Sequence, residues 1–234
     1  MKHSLSVFFP AYNEEKNIEY MVIKAREFLE KFVKDYEIIV VDDGSTDYTG
    51  KIADMLAKKY KKVRVIHHKK NLGYGVALRT GFLAAKKEFV FYTDSDRQFS
   101  IYDLKKFFPY VEKFDLIIGY RKKRQDSFTR KLASKIYNFL VRLILDLNVK
   151  DCNCAFKLCR RSIFKKIKLN TTRSADAELL AKAKKYGFRI KQIPVTHYKR
   201  KFGKSEAVTY FDIIKPSLVF ISIKELFMIR SDIK

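Results

Sequence analysis

The sequence predicts an α/β fold with a mostly parallel, Rossmann-like sheet flanked by helices. Short runs of β-branched and aromatic residues alternate with helical segments through the first half of the 234 residues, and such alternation is typical of βαβ units. Hydrophobic residues make up 47% of the chain, and only eight glycines and four prolines occur. A folded domain without linkers is therefore expected.

The elements of the first half follow from the two hydrophobic periods, two for strands and 3.6 for helices. The predicted strands are Ser4–Phe9, Tyr36–Val41, Val63–His67, Glu88–Thr93 and Asp115–Gly119. The predicted helices are Glu14–Lys34, Asp47–Tyr60, Tyr74–Lys86 and Tyr102–Val111.

After Gly119 the regular alternation ends. Here the strands are predicted at Ala155–Leu158 and Ile190–Val195, and the helices at Thr129–Leu147, Ala175–Tyr186 and Val208–Ile229. One stripe of the helix at 129–147 is apolar, formed by Leu132, Ile136, Phe139, Leu140, Leu143 and Ile144. The chain divides into a domain at 1–206 and an amphipathic helical segment at 207–234. The longest uncharged run of that segment, 216–223, is far shorter than the roughly 20 residues of a membrane span, so no membrane-spanning helix is expected.

Charge is the most pronounced global feature, with 50 basic against 26 acidic residues and a net charge of +24. Such a surface attracts nucleic acid, anionic lipid or phosphorylated substrates, and charge alone does not choose among them. Cys152, Cys154 and Cys159 are one ligand short of a structural zinc site. Three ordinary buried thiols in a reducing cytosol are the favoured interpretation.

Acidic residues follow the fourth predicted strand at the edge where open parallel sheets bind ligands. Asp94 and Asp96 are two residues apart, so both side chains face one point. Two close carboxylates repel unless a cation lies between them, and oxygen ligands suit Mg²⁺ or Mn²⁺. A solvated acidic turn is the simpler alternative for this pair.

The second and third strands also end in polar residues. Helix capping would explain Ser45, Thr46 or Asp47, but it explains poorly the two further acids at the strand tip, Asp42 and Asp43. A carboxylate there is able to accept hydrogen bonds from a base or ribose. Gly73-x-Gly75 lacks the third glycine of a dinucleotide fingerprint, since position 78 is Leu. Its backbone N–H groups are still able to approach a phosphate.

Together these motifs resemble the family-2 inverting glycosyltransferases of the GT-A fold, above all the dolichol-phosphate and polyprenyl-phosphate mannosyl- and glucosyltransferases. The first-half motifs are P-x-Y-N-E at 10–14, V-V-D-D-G-S at 40–45, N-x-G-x-G-x-A at 71–77 and D-x-D-x-Q at 94–98. The second half carries R-x3-S-x3-N from Arg130, D-x3-A-F-K from Asp151 and R-x-x-G-x-S from Arg200. Ala155 replaces a family glycine and Ser100 a frequent proline. The resemblance covers about 4–206, so 1–206 would be the catalytic domain.

The resemblance implies roles for individual residues. The nucleotide would be bound by Pro10, Tyr12, Glu14, Asp42, Asp43, Gly73 and Asp94. A divalent Mg²⁺ or Mn²⁺ ion would be held by Asp94, Asp96 and Gln98. The catalytic residues would be Asp96, Arg121, Arg130 and Arg200, and the acceptor phosphate would contact Arg130, Ser134, Arg200 and Lys204. Without the motifs, loop packing would explain Pro10 and Tyr12, and a solvated basic face would explain the arginines.

The implied activity is inverting transfer of a sugar from a nucleotide sugar, GDP-mannose first and UDP-glucose second, to a polyprenyl or dolichyl phosphate. Its acceptor oxygen is already anionic and needs no base. Transfer to a glycan hydroxyl is the alternative, and it requires a base such as Asp176. The alternative from another class is a basic nucleic-acid-binding module. No such motif matches, and acidic strand ends would repel a nucleic-acid backbone, so no nucleic-acid partner is expected.

The C-terminal helix and the charge together predict a peripheral protein on the cytoplasmic face of an anionic membrane. The apolar stripe of that helix consists of Val208, Phe211, Ile214, Leu218, Ile221, Leu226 and Ile229. Packing against the domain is the alternative, and it is favoured for the first half of the helix. The sequence predicts no oligomeric state.

Overall fold

The computed structural model describes residues 1–203 and 216–233. Its strands are β1 Leu5–Ala11, β2 Tyr36–Asp42, β3 Val63–His67, β4 Phe89–Thr93, β5 Leu116–Arg121, β6 Phe156–Arg160 and β7 Ile190–Val195. Its α-helices are α1 Ile18–Phe32, α2 Thr49–Lys59, α3 Tyr74–Ala84, α4 Phe128–Leu145, α5 Ala175–Lys185 and α6 Pro216–Ile233. Short 3₁₀ helices cover Ile101–Lys106, Phe108–Tyr110 and Arg161–Lys165.

The strands form one sheet of order β3-β2-β1-β4-β6-β5-β7. Only β6 runs antiparallel to its neighbours, β4 and β5. Every residue of β1, β2 and β4 is buried, as expected for continuous apolar strands with helices on both faces. The predicted fold class is therefore confirmed.

One predicted helix, Tyr102–Val111, is wrong. The segment forms two 3₁₀ helices instead, at Ile101–Lys106 and Phe108–Tyr110. Pro109 explains the difference, because it has no N–H to donate to the carbonyl of Lys105 and an α-helical ladder cannot run through it. The other predicted elements agree with the structure to within a few residues. The predicted start of the last helix, 208–215, lies outside the described residues.

The parallel register brings the strand-end motifs to one edge of the sheet. Ala11 at the end of β1 lies opposite Asp42, and Asp42 lies opposite His67 at the end of β3. On the other side of β1, β4 runs in the same direction and ends at Thr93. The loops that follow these four strands therefore surround one point, as in other open α/β sheets.

Helices α4 and α6 of the second half present apolar residues to solvent. On α4 the buried residues are Val141 and Leu145, whereas Phe139 and Leu143 of the predicted stripe are 63% and 69% exposed. Helix α6 packs on α4 and α5 and buries Leu226 and Ile229. Within the described ranges, no helix combines the length and apolarity needed to cross a bilayer.

Candidate active site

The carboxylates of Asp94 and Asp96 follow β4 at the centre of the sheet edge. Burial raises the pKa of both groups, and the charge of Asp96 raises that of Asp94 further. The Tyr74 side chain hydrogen-bonds to Asp94 and partly offsets the effect. A half-buried and a buried acid so close together make this point a strong attractor for positive charge.

Arg200 supplies positive charge at this point. Its guanidinium lies 2.5 Å from Glu14 Oε1 and 3.3 Å from Asp96 Oδ2. Glu14 comes from the loop after β1, so one arginine joins the first and fourth strand ends to the segment after β7. The structure thus brings together Glu14, Asp96 and Arg200, which all belong to the sequence motifs. Glu14 and Arg200 are 186 positions apart in the sequence.

The segment that carries Arg200 is fixed to the D-x-D-x-Q loop. Tyr198 N donates to Gln98 O at 2.9 Å, and Gln98 Nε2 donates to Tyr198 O at 3.1 Å. Gln98 was predicted to be a metal ligand, and its amide nitrogen is used to hold this segment. A role of its side-chain oxygen on a metal stays a prediction.

The donor set fits a hard divalent cation. Asp94 and Asp96 offer carboxylate oxygens, the ligands that Mg²⁺ and Mn²⁺ prefer. Among residues 1–203 and 216–233, no group of three or more His, Cys, Asp or Glu side chains is arranged to hold a metal by itself. The remaining ligands of an ion would have to come from a bound diphosphate and water, which is usual for Mg²⁺ at phosphate sites.

Asp42 and Asp43 have different surroundings. Asp42 accepts a hydrogen bond from Ser45 N at 3.0 Å and another from His67. Asp43 accepts from Gly73 N at 2.9 Å and thereby fixes the glycine loop, where Gly73 has a φ of 93° that favours glycine. The Gly73 N–H is thus already donated within the protein, and the predicted phosphate contact would need another N–H of this loop.

Arg121 is paired within the domain. Its Nε and Nη2 donate to the two carboxylate oxygens of Asp151 at 2.6 and 2.7 Å. Its charge still lowers the pKa of Asp94. The predicted catalytic role of Arg121 would therefore act through its charge, with Asp151 of the D-x3-A-F-K motif as its anchor.

The R-x3-S-x3-N motif lies on one face of α4. Arg130 is 3.6 Å from Asp126 Oδ1, and its charge lowers the pKa of Asp96. Ser134 lies one turn further on and accepts from Asn138 Nδ2 at 3.3 Å. Asn138 in turn accepts from Cys152 N at 2.8 Å, so the motif docks α4 beside the site.

Sequence reasoning missed a buried lysine next to the site. Lys157 is completely buried, and its Nζ donates to Asp176 Oδ1 at 2.5 Å. It also donates to the carbonyl oxygens of Cys152 and Cys154 at 3.0 and 2.7 Å, while the Tyr92 hydroxyl donates to Asp176. The available signal was the lysine in the A-F-K motif, within an otherwise apolar strand.

Comparison with known proteins agrees with this arrangement. Residues 6–168 match the domain described as glycosyl transferase family 2. The chain belongs to this family. It is 35% identical over 214 residues to dolichyl-phosphate beta-glucosyltransferase from Homo sapiens, covering 82% of this chain and 66% of that protein. It is 34% identical over 202 residues to glycosyltransferase AglD from Haloferax volcanii, covering 82% of this chain and 32% of that protein. The family-2 chain thus spans about a third to two thirds of the length of these relatives.

A solved structure confirms the fold predicted for a family-2 chain. Glucosyl-3-phosphoglycerate synthase from Mycobacterium tuberculosis superposes with a TM-score of 0.73 at 19% identity, covering 97% of this chain and 78% of that chain. That enzyme was crystallised with Mn²⁺, uridine diphosphate and phosphoglyceric acid. At this identity the likeness concerns the fold, and the predicted GT-A architecture is confirmed.

Proposed function

We propose that this family-2 chain transfers a sugar from a nucleotide-sugar donor to a polyprenyl phosphate, with inversion at the anomeric carbon. The observation that carries the proposal is the pair of the half-buried Asp94 and the buried Asp96 beside Arg200, at the edge where the strand-end loops meet. A relative whose name specifies a dolichyl-phosphate acceptor supports the acceptor class.

Charge compensation is the main task of the site. A divalent cation held by Asp94 and Asp96 would neutralise the charge that develops on the leaving nucleoside diphosphate. Arg200 is held by Glu14 and Asp96 at 2.5 and 3.3 Å. When an anionic ligand enters, the guanidinium is able to exchange these carboxylates for phosphate oxygens in charge-assisted hydrogen bonds.

The acceptor side is formed by the second half of the chain. Arg130 and Ser134 on α4, together with Arg200, would bind the acceptor phosphate and bring two anions together by preorganised electrostatics. Lys204, the fourth predicted contact, lies outside the described residues. The phosphate oxygen is already ionised, so the chain has to orient it and needs no general base.

The surroundings of Asp176 favour a phosphate acceptor over a hydroxyl acceptor. A base must be free to receive a proton, whereas the Asp176 carboxylate is buried and accepts hydrogen bonds from Lys157 and Tyr92. Because Oδ1 already accepts from both of these donors, Asp176 is poorly placed to abstract a proton. A nucleic-acid partner is not proposed, because the sheet edge is lined by acidic side chains.

Two nucleotide sugars are candidates for the donor. The sequence favours GDP-mannose and then UDP-glucose, while the glucosyltransferase relative supports testing UDP-glucose alongside GDP-mannose. The experiment is a panel of nucleotide sugars with a polyprenyl phosphate as acceptor, with and without EDTA, followed by product analysis. Formation of a β-linked lipid phosphosugar from an α-linked donor supports the proposal. Transfer only to glycan hydroxyls would contradict it.

We also propose that the chain works as a peripheral protein on the cytoplasmic face of a membrane. On α4 an exposed apolar stripe is interspersed with basic residues and no acidic ones; it consists of Phe128, Lys131, Leu132, Lys135, Ile136, Phe139, Arg142 and Leu143. The neighbouring α6 exposes Phe220, Ile221, Phe227 and Met228. Apolar faces with interspersed lysines suit an interface with anionic lipid. Of the predicted stripe on the last helix, Leu226 and Ile229 are buried, and 208–215 lies outside the described residues.

A further inference from the structure

A histidine at the end of β3 joins two carboxylates at the nucleotide end of the site. His67 Nδ1 lies 2.8 Å from Asp42 Oδ2, and its Nε2 lies 3.1 Å from Asp54 Oδ1. The parallel register sets His67 opposite Asp42, and Asp54 reaches it from α2. None of the motifs discussed above contains this residue.

The geometry around His67 specifies its charge. Both ring nitrogens face carboxylate oxygens, and only an imidazolium donates from both. A neutral ring would set one nitrogen lone pair against an anionic oxygen. Burial disfavours the charged ring, but the hydrogen bonds to Asp42 and Asp54 outweigh it and raise the pKa of His67. The charged groups that the structure places against the ring are Asp42 from β2 and Asp54 from α2.

We propose that His67 is a positioning residue for the nucleoside diphosphate: its protonated ring orients the carboxylate of Asp42 for recognition of the base or ribose. This inference rests on the proposed function, which assigns the nucleotide to the Asp42 end of the site. Asp42 Oδ1 accepts from Ser45 N at 3.0 Å and Oδ2 from His67, so the carboxylate is fixed from both sides. Its remaining lone pairs are able to accept from a ligand.

The charge of His67 has a second consequence for an anionic ligand. Several acids lie around the site, among them Asp42 at the end of β2, Glu14 after β1 and Asp54 on α2, and a nucleoside diphosphate brings further negative charge. A protonated His67 offsets part of that charge. When the proton leaves, the neutral ring has one N–H for two carboxylates, so the hydrogen bond that orients Asp42 loses its charge assistance or its donor, and Asp42 and Asp54 repel one another. Nucleotide binding should therefore weaken as the pH rises through the pKa of His67.

The chain contains a matched control. His3 is bonded in the same way, with Nδ1 2.8 Å from Glu88 and Nε2 2.5 Å from Glu112. Its hydrogen bonds to Glu112 and Glu88 likewise raise its pKa. It precedes β1, at the opposite edge of the sheet from the site. Removal of His3 perturbs a similar histidine far from the nucleotide.

The experiment measures the dissociation constants of UDP and GDP with Mg²⁺ by calorimetry, from about pH 6 to about pH 9, the window in which a histidine with a raised pKa titrates. The variants are His67→Ala, His67→Asn, Asp54→Asn and His3→Ala. Circular dichroism checks that each is folded, and the imidazole proton shift of His67 in NMR spectra follows its titration. Ionisation of the diphosphate and of Asp94 is common to all variants, so differences between variants isolate His67.

The expected results differ for each variant. Wild type and His3→Ala bind the preferred nucleotide about tenfold more weakly at the high-pH limit than at the low-pH limit, the loss of one charge-assisted hydrogen bond. Asp54→Asn shows the same fall at lower pH, because one of the two carboxylates that hold the proton is gone. His67→Ala binds weakly throughout. His67→Asn keeps a donor to Asp42 without titrating, so it binds more tightly than His67→Ala and varies less with pH.

Three outcomes separate failure of the inference from failure of the proposed function. If wild type binds a nucleotide and folded His67→Ala shows its affinity and pH profile unchanged, the inference is overturned and the proposed function stands. An unshifted midpoint in Asp54→Asn would also overturn it. If wild type binds neither UDP nor GDP at any pH, the proposed function fails and the inference falls with it.

Discussion

Lys157 and Asp176 form an ion pair in the interior of the domain, with Lys157 Nζ 2.5 Å from Asp176 Oδ1 and the lysine completely buried. The two residues lie on β6 and α5, so the pair joins the sheet to a helix beside the site. Its charges offset one another, and each becomes costly when the other is removed. A substitution of Asp176 therefore affects the stability of the fold, and its effect on activity has to be measured per folded molecule.

We predict that Asp176→Asn destabilises the fold, because it leaves the Lys157 ammonium without its counter-charge. Breaking a buried pair in this way costs about 3–5 kcal/mol. The double variant Lys157→Met with Asp176→Leu should recover part of the loss. Urea unfolding of the two variants measures the difference. Equal midpoints for Asp176→Asn and wild type would contradict the importance of the pair.

The same variant also separates the two acceptor classes. Per folded molecule, Asp176→Asn should transfer sugar to a lipid phosphate at nearly the wild-type rate, since an ionised phosphate needs no base. With a hydroxyl acceptor, the rate should fall about a hundredfold or more when a general base is removed. A fall of that size with the lipid phosphate, at unchanged donor binding, would make Asp176 a base.

We predict that Asp94→Asn and Asp96→Asn abolish metal-dependent transfer while the fold is kept or stabilised. Burial raises the pKa of both carboxyl groups, and the charge of Asp96 raises that of Asp94 further, so neutralising one relieves a strain in the metal-free protein. Activity should fall by about a thousandfold or more when the charge-stabilising ion is lost. Thermal unfolding in the presence of EDTA measures the effect on stability, and turnover with Mg²⁺ measures the effect on activity.

A surface acid provides the control for these variants. Asp35 pairs with Lys87 at 2.7 Å on the exposed side of the domain, and Asp35→Asn should keep both activity and stability. Full wild-type activity in EDTA would refute the metal assignment, whatever the variants do.

Much of the fold was predictable because its causes are local. The strands β3 and β7 were predicted at their observed bounds, since valine and isoleucine recur within both segments. The helix predicted at 102–111 failed because a single proline outweighed the apolar period. The direction of β6 was not predictable from its own residues, because antiparallel pairing with β4 and β5 depends on the connections around it.

The site was predictable where its residues belong to motifs that follow the ends of strands. Asp94, Asp96, Glu14 and Arg200 carried motifs, and the structure brings them together. Lys157 was missed because a lysine in a short strand is usually a surface residue, and only the tertiary structure shows Asp176 opposite it. The exposed stripe of α4 was equally hidden, since periodicity gives a face without saying whether protein or solvent covers it.

We predict that Arg200→Ala weakens use of the phosphorylated acceptor more than donor binding. The guanidinium is able to exchange Glu14 and Asp96 for a phosphate, a charge-assisted contact. Gly203, three residues further on, has a φ of 74°, which favours glycine. The KM for the lipid phosphate should rise about tenfold or more for the loss of such a contact, with the donor dissociation constant nearly unchanged. Lys199→Ala, an exposed cation next in sequence, is the control. A change in donor binding alone would make the acceptor role wrong.

We predict that His197 makes the fold less stable as the pH falls below neutrality. Burial lowers the pKa of His197 to about 4, and its Nδ1 accepts from Gln125 N at 3.3 Å, which needs the neutral ring. The unfolded chain, with an ordinary histidine pKa of about 6.5, then binds more protons than the folded one between these values. Stability is therefore present above pH 6.5 and is lost as the pH falls toward 4.

The measurement is the urea midpoint of wild type and His197→Asn at pH 7 and at pH 5. The difference attributable to His197 should be about 1–2 kcal/mol over that interval. His3 and His67 have raised pKa values and contribute with the opposite sign, so only the comparison with the variant isolates His197. An identical pH dependence in both proteins would contradict the assignment.

We predict that the exposed apolar faces of α4 and α6 hold the protein on anionic membranes. Phe139 and Leu143 are 63% and 69% exposed on α4, and their substitution by Glu removes apolar area and adds repulsion from anionic lipid. Flotation with vesicles rich in anionic lipid at low salt should recover wild type and lose the double variant Phe139→Glu with Leu143→Glu. Leu83→Glu is the matched control. Leu83 is 75% exposed on α3, and its substitution adds a negative charge away from α4 and α6. Equal loss of binding in Leu83→Glu would mean that net charge alone governs attachment, and unchanged flotation of the double variant would refute the role of α4.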